Sequence, residues 1–249
     1  MPDDTNPSPE AEALARVMWP DLIDVLIPTV GRADRLASVA ANIHDATEVE
    51  HRVVFIIEET DEASEAAVLA TGDHLAYNDG PPNYAGATQT GYPLGSLTRP
   101  LPPYLFCGAD DLRFHKGWDH AALATMTALP HLRVVGTTDL CNPYVSAGMH
   151  STHSLVDRRY LDEVGGTVDA GPGSFLPTCY THQFTDTEFI GTAKMRAVFA
   201  PCMDSVVEHL HWSLGLTPED ATTAKTIAHL DDDGRLYDER KELWCNLSR

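Results

Sequence analysis

Two adjacent aspartates, Asp110 and Asp111, are the strongest chemical signal in the sequence. They follow the short apolar run 104–107, which Gly108 ends, so the pattern predicts a buried strand whose carboxyl end presents both carboxylates. Neighbouring carboxylates repel each other, and a divalent cation with oxygen ligands is a common way to stabilise them. The pair therefore indicates either a metal site or, as the simpler alternative for an isolated Asp-Asp, a loop that caps the next turn.

Two later segments carry further side chains that could take part in catalysis. The segment 185–196 opens with a Thr-x-x-Glu capping box, and a carboxylate in the first turn of such a helix, Asp186, is held rigidly enough to act as a general base. The segment 205–212 alternates like a strand and places His209 and His211 on one face. In a chain with 12 histidines this pair is as readily structural as metal binding.

Strands and helices alternate along the first half of the chain and must position these groups. Strands are predicted at 22–27, 52–57, 75–77, 104–107 and 132–137, and helices from about residue 34 and over 63–70, 83–92 and 121–129. Loops dominate 139–173 apart from a short helix over 158–164, and a polar helix follows residue 218. This alternation favours an α/β fold with a mostly parallel sheet, in which ligands bind at the carboxyl ends of the strands.

Charge and composition exclude several classes of protein. The 249 residues include 17 basic and 37 acidic ones, a formal net charge of -20 without any run of Lys or Arg, so bulk binding of nucleic acid is not expected. Five scattered cysteines without a CxxC spacing argue against disulfides and zinc. No apolar run approaches the roughly 18 residues of a membrane span, and the acidic start lacks the pattern of a signal peptide.

We expect a cytoplasmic protein with a flexible leader (1–20), one domain (21–215) and a C-terminal helical tail (216–249).

Five stretches in a fixed order resemble a GT-A fold glycosyltransferase of the broad family-2 type, and the phage-encoded and bacterial members are the most similar. They are LIPTVGRADRL (26–36), VVFIIEETDEAS (53–64), the helix 83–92, FCGADDLRFHKGW (106–118) and TDTEF (185–189). The resemblance implies a three-layer sandwich around a mostly parallel, Rossmann-like central sheet. It also implies an inverting, metal-dependent transfer of a sugar from a nucleotide donor, most readily a UDP-sugar, to a hydroxyl acceptor.

The resemblance also implies roles for single residues at the strand ends. Pro28, Thr29 and Arg32 match the nucleotide-binding end of the first strand. Glu58 or its neighbour Glu59 takes the place of the usual Asp that contacts base and ribose, and Glu58 is the candidate. Asp110 is expected to contact the nucleotide as well.

The same resemblance implies a metal site and a base. Asp110 or Asp111 would hold Mn²⁺ or Mg²⁺, with His209 completing the ligands and His211 as its neighbour, and Asp186 would act as the base. Two carboxylates and an imidazole suit these ions better than zinc, and a metal would stabilise the departing diphosphate as a Lewis acid.

Three residues are candidates for contacts to the acceptor: Arg158, Gly166 and Glu188. Each has a structural alternative, respectively a helix-surface charge, a helix stop and the capping box. Two other functions remain open for the whole chain. A nucleotidyltransferase would need a Gly-rich basic loop after the first strand, where only Gly31 and Arg32 stand. An inactive glycan- or nucleotide-binding module would need no catalytic base.

Overall fold

The computed structural model describes residue 17, residues 20–94 and residues 101–245. The expected leader therefore lies outside the described residues except at positions 17 and 20. Within the described part, no helix combines the length and the apolar character that crossing a membrane requires.

Eight strands and nine helices make up the described part of the chain. The strands are β1 (Ile23–Pro28), β2 (His51–Ile57), β3 (His74–Tyr77), β4 (Tyr104–Cys107), β5 (Leu112–Phe114), β6 (Val134–Thr138), β7 (Ser154–Asp157) and β8 (Phe199–His209). The helices are α1 (Ala33–Ala46), α2 (Glu62–Thr71), α3 (Tyr84–Leu94), α4 (Trp118–Ala128), α5 (Pro143–Ser146), α6 (Arg158–Glu163), α7 (Thr185–Met195), α8 (Ala221–Ala228) and α9 (Leu230–Cys245). A single 3-10 turn spans Trp212–Leu214.

All eight strands form one sheet in the order β3-β2-β1-β4-β7-β6-β8-β5. The strands β3, β2, β1 and β4 are parallel, as predicted, and so are β6 and β8. The sheet is nevertheless mixed, because β7 runs antiparallel between β4 and β6 and β5 runs antiparallel to β8. The segment that was expected to be loop-rich thus supplies a central strand.

Helices cover both faces of this sheet, each over its own apolar core. One core joins the sheet to α1, α2 and α4, with Leu36 and Ile43 on the buried face of α1 and Trp118 at the start of α4. The other joins it to α3, α6 and α7, where Phe189 and Ile190 are buried. Buried β1 lies between the two layers, which explains why its sequence IDVLIP is apolar on both faces apart from one aspartate. The expected arrangement in three layers is present.

The turn after β4 is shaped by tight packing. A side chain at Gly108 would come within 2.7 Å of Ile27 Cδ1 and 2.9 Å of the Leu26 carbonyl oxygen, so only glycine lets the chain pass beside β1 here. Below the turn, the rings of Phe106, Phe114 and Trp118 pack edge to face at centroid distances of 4.7 to 5.3 Å. This aromatic cluster, with Trp118 fully buried, supports the acid pair from below.

The strand β8 pairs with two different neighbours along its length. Its first part pairs with β6, and a bulge inside this ladder separates Cys202, opposite Thr137, from Val206, opposite Thr138. Its second half pairs with β5, where Leu112 lies opposite His209. The strand therefore begins six residues before the predicted position 205 and ends at His209, which leaves His211 beyond it.

The expected C-terminal tail packs closely on the rest of the chain. The buried ring of Trp244 in α9 lies against Gly191 in α7. A Cβ added at Gly191 would come within 2.8 Å of Trp244 Nε1. Asp233, also in α9, accepts hydrogen bonds from the backbone N–H groups of residues 181–183. The start of α7 is therefore held in place by the last helix.

Candidate active site

Asp110 is buried and both of its carboxylate oxygens are engaged. Oδ2 accepts a hydrogen bond from Thr29 Oγ1 at 2.5 Å, and Oδ1 accepts one from Arg32 Nη1 at 2.8 Å. Burial raises the pKa of Asp110, although the charge of Arg32 opposes that rise. Asp110 thus joins the ends of β1 and β4 and fixes the guanidinium of Arg32.

Asp111 points to a different partner, His209. Its Oδ1 lies 3.4 Å from His209 Nε2, while Arg32 Nη1 is 3.9 Å from Oδ2. Burial alone would raise the pKa of Asp111, but the hydrogen bond and charge of His209 lower it well below its usual range. Burial lowers the pKa of His209, but the hydrogen bond and the charge of Asp111 raise it, and the pKa is raised overall. Each group therefore favours the charged form of the other.

The sheet register brings this pair together. Leu112 and His209 are opposite residues of the β5–β8 ladder, and the backbone N–H of Leu210 donates to the Asp111 carbonyl oxygen at 2.8 Å. Asp111 and His209 are therefore fixed by backbone pairing, so their spacing does not depend on a mobile loop. Such positioning by strands is what a precise ligand pair requires.

The arrangement of donors fits an octahedral cation. Two ligands at right angles, each about 2.1 Å from such an ion, lie about 3 Å apart, close to the separation of Asp111 Oδ1 and His209 Nε2. Among the described residues no group of three or more His, Cys, Asp or Glu side chains is placed to hold a metal ion. The protein therefore offers two ligands, and Mg²⁺-type sites commonly complete their shell with water and substrate phosphates.

A third histidine, His153, borders this pair and was not singled out from the sequence. It directly precedes β7, is 5% exposed, and its ring meets that of His209 edge to face at 5.2 Å. Its Nδ1 donates to the Cys107 carbonyl oxygen at 2.9 Å, so Nε2 is bare in the neutral ring, and this nitrogen is buried without a partner in the described structure. Burial and the nearby charge of His209 lower the pKa of His153 to about 4. A neutral donor nitrogen is thus available beside the candidate ligands.

Asp186 lies in the first turn of α7, as predicted, but the capping box is wrong. The N-cap residue is Phe184, whose φ of 68° is left-handed, and no side chain caps the helix. Oδ2 of Asp186 accepts a hydrogen bond from His150 Nε2 at 3.0 Å, and Oδ1 accepts one from the Thr187 N–H at 2.8 Å. Burial opposes ionisation of Asp186, but the hydrogen bond from His150 lowers its pKa overall.

Asp111 and Asp186 border the same group of imidazoles. The charges of both carboxylates act on His153, His182 and His209. The two acids therefore lie around one shared region at the carboxyl ends of β4 and β8. His150, His153 and His182 all come from the stretch between β6 and α7, which has no periodicity that would have marked them in the sequence.

The expected nucleotide residues lie at neighbouring strand ends. Pro28 is the last residue of β1, and Glu58, directly after β2, accepts a hydrogen bond from Asn78 Nδ2 at 2.8 Å. The Gly31 N–H donates to Asp61 Oδ2 at 2.7 Å and thereby ties the loop after β1 to the loop after β2. Together these side chains border the same edge of the sheet as the acid pair.

Arg32 has a second partner that the sequence did not reveal. Its Nε lies 2.8 Å from Oδ2 of Asp220, the N-cap of α8, and Arg35 Nη2 lies 3.2 Å from the same oxygen. Asp220 also caps α8 by accepting from the Thr223 N–H at 2.8 Å. The C-terminal region therefore contacts the candidate nucleotide-binding residue directly.

Two expected acceptor residues are committed to other partners. Arg158 follows the antiparallel strand β7 and so lies at the opposite end of the sheet, where it donates to the carbonyl oxygens of Pro102 and Tyr92 at 3.0 and 2.9 Å. Glu188 is fully buried and pairs with Arg240 of α9 at 2.7 Å, with Tyr180 Oη also at 2.7 Å. We therefore leave both residues out of the site.

Gly166 and His211 also have local structural explanations. A Cβ at Gly166 would lie 1.9 Å from the Phe175 carbonyl oxygen, so glycine is required there by backbone packing. His211 lies beyond the end of β8, and its Nδ1 is 2.7 Å from Ser213 Oγ in the following 3-10 turn. Its ring packs on that of His209 at 4.9 Å, which makes it a neighbour of the candidate ligand.

Comparison with known proteins gives a likeness in structure alone. No protein-family profile and no curated protein sequence matches the chain. Glucosyl-3-phosphoglycerate synthase from Mycobacterium tuberculosis, in complex with Mn²⁺, UDP-glucose and phosphoglyceric acid, has a TM-score of 0.56 and 11% identity over 82% of this chain and 77% of that chain. The complex of the same synthase with Mn²⁺, UDP and glucosyl-3-phosphoglycerate has a TM-score of 0.57 and 13% identity, and the match covers 90% of this chain and 84% of that chain. Mannosyl-3-phosphoglycerate synthase from Rubrobacter xylanophilus has a TM-score of 0.53 and 13% identity, and the match covers 78% of this chain and 68% of that chain. The chain shares the fold of these synthases, and the expected GT-A architecture is consistent with that result.

Proposed function

We propose that the protein is a metal-dependent glycosyltransferase that moves a sugar from a UDP-sugar to a hydroxyl acceptor, with inversion by direct displacement. The observation that carries the proposal is the Asp111–His209 pair, fixed by strand register and sharing a histidine-lined region with Asp186. The shared fold supports it, because structures with that fold contain Mn²⁺ together with UDP-glucose or UDP.

The donor is proposed to lie across the carboxyl ends of β1, β2 and β4. Glu58 would accept hydrogen bonds from the base or ribose, and Arg32, held by Asp110, would meet the diphosphate. Asp111 and His209 would hold the metal ion. A bound Mn²⁺ or Mg²⁺ stabilises the negative charge that develops on the departing diphosphate. This division gives Asp110 the task of orienting Arg32 and leaves Asp111 as the ligand.

The acceptor is proposed to bind between the metal pair and the start of α7. Asp186 would take the proton from the attacking hydroxyl, and its lowered pKa keeps it ionised for that task at neutral pH. His150 holds the carboxylate in place through Oδ2. His182, whose pKa is lowered by burial, offers a neutral imidazole at the same place for hydrogen bonds to the acceptor.

The proposal is tested by binding and turnover on the purified protein. Calorimetry should detect UDP binding with Mn²⁺ present and a loss of at least tenfold in affinity with EDTA. Assays over a panel of UDP-sugars should then detect release of UDP, at first by slow donor hydrolysis. Binding without turnover on the whole panel would favour the inactive module, and pyrophosphate release from UTP and a sugar phosphate would favour the nucleotidyltransferase.

A further inference from the structure

A cluster of two histidines and one aspartate lies at the amino-terminal edge of the sheet, away from the candidate active site. His44 is in the last turn of α1, His51 is the first residue of β2, and Asp73 directly precedes β3. His44 Nδ1 lies 3.0 Å from His51 Nε2, and the two rings have centroids 5.1 Å apart. None of these side chains takes part in the proposed transfer reaction.

The hydrogen bonds from His51 to Val49 and from His44 to Asp73 determine which ring nitrogens carry protons. His51 Nδ1 lies 2.8 Å from the Val49 carbonyl oxygen, which can only accept, so this nitrogen carries a proton. His44 Nε2 lies 2.9 Å from Asp73 Oδ1, a carboxylate oxygen that accepts hydrogen bonds, so this nitrogen donates and also carries a proton. In neutral rings the two inner nitrogens are then both bare. Two bare nitrogens 3.0 Å apart repel each other, and a cation bound to both would relieve that repulsion.

We propose that this cluster is a binding site for a divalent transition-metal ion, with His44 Nδ1 and His51 Nε2 as neighbouring ligands. Histidines that bind metals commonly donate their other N–H group to a carboxylate or a backbone carbonyl. Both histidines do so here, one to Asp73 and the other to Val49. The arrangement therefore already has the supporting hydrogen bonds of a metal site.

Two further observations favour a cation at this place. His44 occupies the last turn of the 14-residue helix α1, where the helix dipole favours positive charge. Asp73 has only 9% of its side chain exposed, and its Oδ2 is buried without a hydrogen-bond partner among the described residues. A positive ion on His44 offsets the cost of keeping that carboxylate buried.

The spacing of the nitrogens indicates which ions fit. If each nitrogen lies about 2.05 Å from the metal, a separation of 3.0 Å corresponds to an angle of about 95° at the ion. This is close to the right angle between neighbouring ligands in the tetragonal geometry of Cu²⁺ and Ni²⁺, and narrower than a tetrahedral zinc angle. The remaining positions would be filled by water, because 47% of the His44 side chain is exposed.

The test uses two variants that remove one inner nitrogen each and keep the outer hydrogen bonds. His51→Asn retains an amide N–H near Nδ1 for Val49, and His44→Gln retains one near Nε2 for Asp73. His131→Gln, at an exposed histidine elsewhere on the surface, serves as the matched control. Calorimetric titration of the tag-free full chain with Cu²⁺ and with Ni²⁺ measures the stoichiometry, and melting in EDTA verifies that every variant is folded.

We expect the wild-type protein and His131→Gln to bind one more equivalent of Cu²⁺ than His44→Gln or His51→Asn. Electron paramagnetic resonance of that equivalent should show coupling to two nitrogens. Turnover with a UDP-sugar should be the same in both variants, because the cluster is remote from the candidate active site. An unchanged stoichiometry in both variants would overturn the proposal. So would an added equivalent of Cu²⁺ whose electron paramagnetic resonance shows no coupling to nitrogen.

Discussion

Nε2 of His150 lies 3.0 Å from Oδ2 of Asp186, although the two residues are 36 positions apart in the sequence. The proposed base is therefore not an isolated carboxylate but one half of a hydrogen-bonded pair. Because the hydrogen bond lowers the pKa of Asp186, His150 sets the pH range over which the base is ionised.

This pair leads to a prediction for turnover. Asp186→Asn should lower kcat by about 10²- to 10⁴-fold, the usual contribution of a general base, with little change in UDP affinity. His150→Ala should raise the pKa of Asp186, so the acid limb of the kcat–pH profile should move to higher pH. His150→Gln keeps an N–H donor and serves as the control. Full turnover by Asp186→Asn would refute the assignment of the base.

The two adjacent aspartates are predicted to separate in function. Asp111→Asn should abolish Mn²⁺ binding, because it removes the charge opposite His209. Asp110→Asn should still bind Mn²⁺ but bind UDP more weakly, because Arg32 loses its anchor. Paramagnetic resonance measures free Mn²⁺, and calorimetry measures UDP. If Asp110→Asn lost the metal and Asp111→Asn kept it, the two roles would have to be exchanged.

The contact between Asp220 and Arg32 predicts a pH-dependent contribution to stability. Burial acts against the ionised form of Asp220, but its hydrogen bonds with Arg32 and Thr223 lower its pKa overall. A carboxyl group with a lowered folded pKa stabilises the protein above its unfolded pKa of about 3.9, and this contribution is lost as the pH falls below that value. With 28% of the side chain exposed, we expect Asp220→Asn to cost roughly 1 kcal/mol at pH 7.

Denaturant titrations at pH 7 and pH 3 measure this difference. Asn also caps helices well, so Asp220→Asn retains the cap of α8 and removes only the charge. Asp220→Ala removes the cap as well and should cost about 1 kcal/mol more at both pH values. A deficit of Asp220→Asn that is equally large at pH 3 would show that the charge on Asp220 does not contribute.

Glu188 is predicted to act on stability and not on the acceptor. It is fully buried and accepts hydrogen bonds from Arg240 and Tyr180, so Glu188→Ala should destabilise the fold by about 3 kcal/mol, because Tyr180 Oη loses this acceptor and Arg240 keeps only its pairing with Asp169. The double variant Glu188→Met/Arg240→Met should recover part of that loss. At a temperature where the proteins are folded, KM for the acceptor should be unchanged. A rise in KM for the acceptor alone would show that Glu188 contributes to acceptor binding.

The strand ends could be predicted from sequence because their signals are local. The apolar runs before Pro28, Glu58 and Gly108 are long enough to identify buried parallel strands, and polar residues then fall at one edge of the sheet. The same rule placed Asp110 and Asp111 together with the candidate nucleotide-binding residues. Local sequence also identified Asp186 correctly as a first-turn residue of α7.

Other parts of the site depend on pairing between distant segments. The strands β5 and β7 have three and four residues and no clear alternation, so neither was predicted, and the positions of His150 and His153 beside them could not be inferred. The separate roles of Asp110 and Asp111 also depend on the turn between β4 and β5, which sends one side chain to Arg32 and the other to His209. The pairing of Glu188 with Arg240 joins residues 52 positions apart and overrides the capping box.

The bulge in β8 has a consequence for how this protein can tolerate changes in length. Because residues 203–205 form a bulge inside the β6–β8 ladder, where they lie opposite no residue of β6, we expect a residue gained or lost there to be absorbed before the chain reaches its pairing with β5. One residue inserted between Val207 and His209 would instead rotate the imidazole to the far side of the sheet, away from Asp111. A change of length in the bulge can therefore alter the part of β8 before it, while the pairing of β8 with β5 keeps Asp111 beside His209.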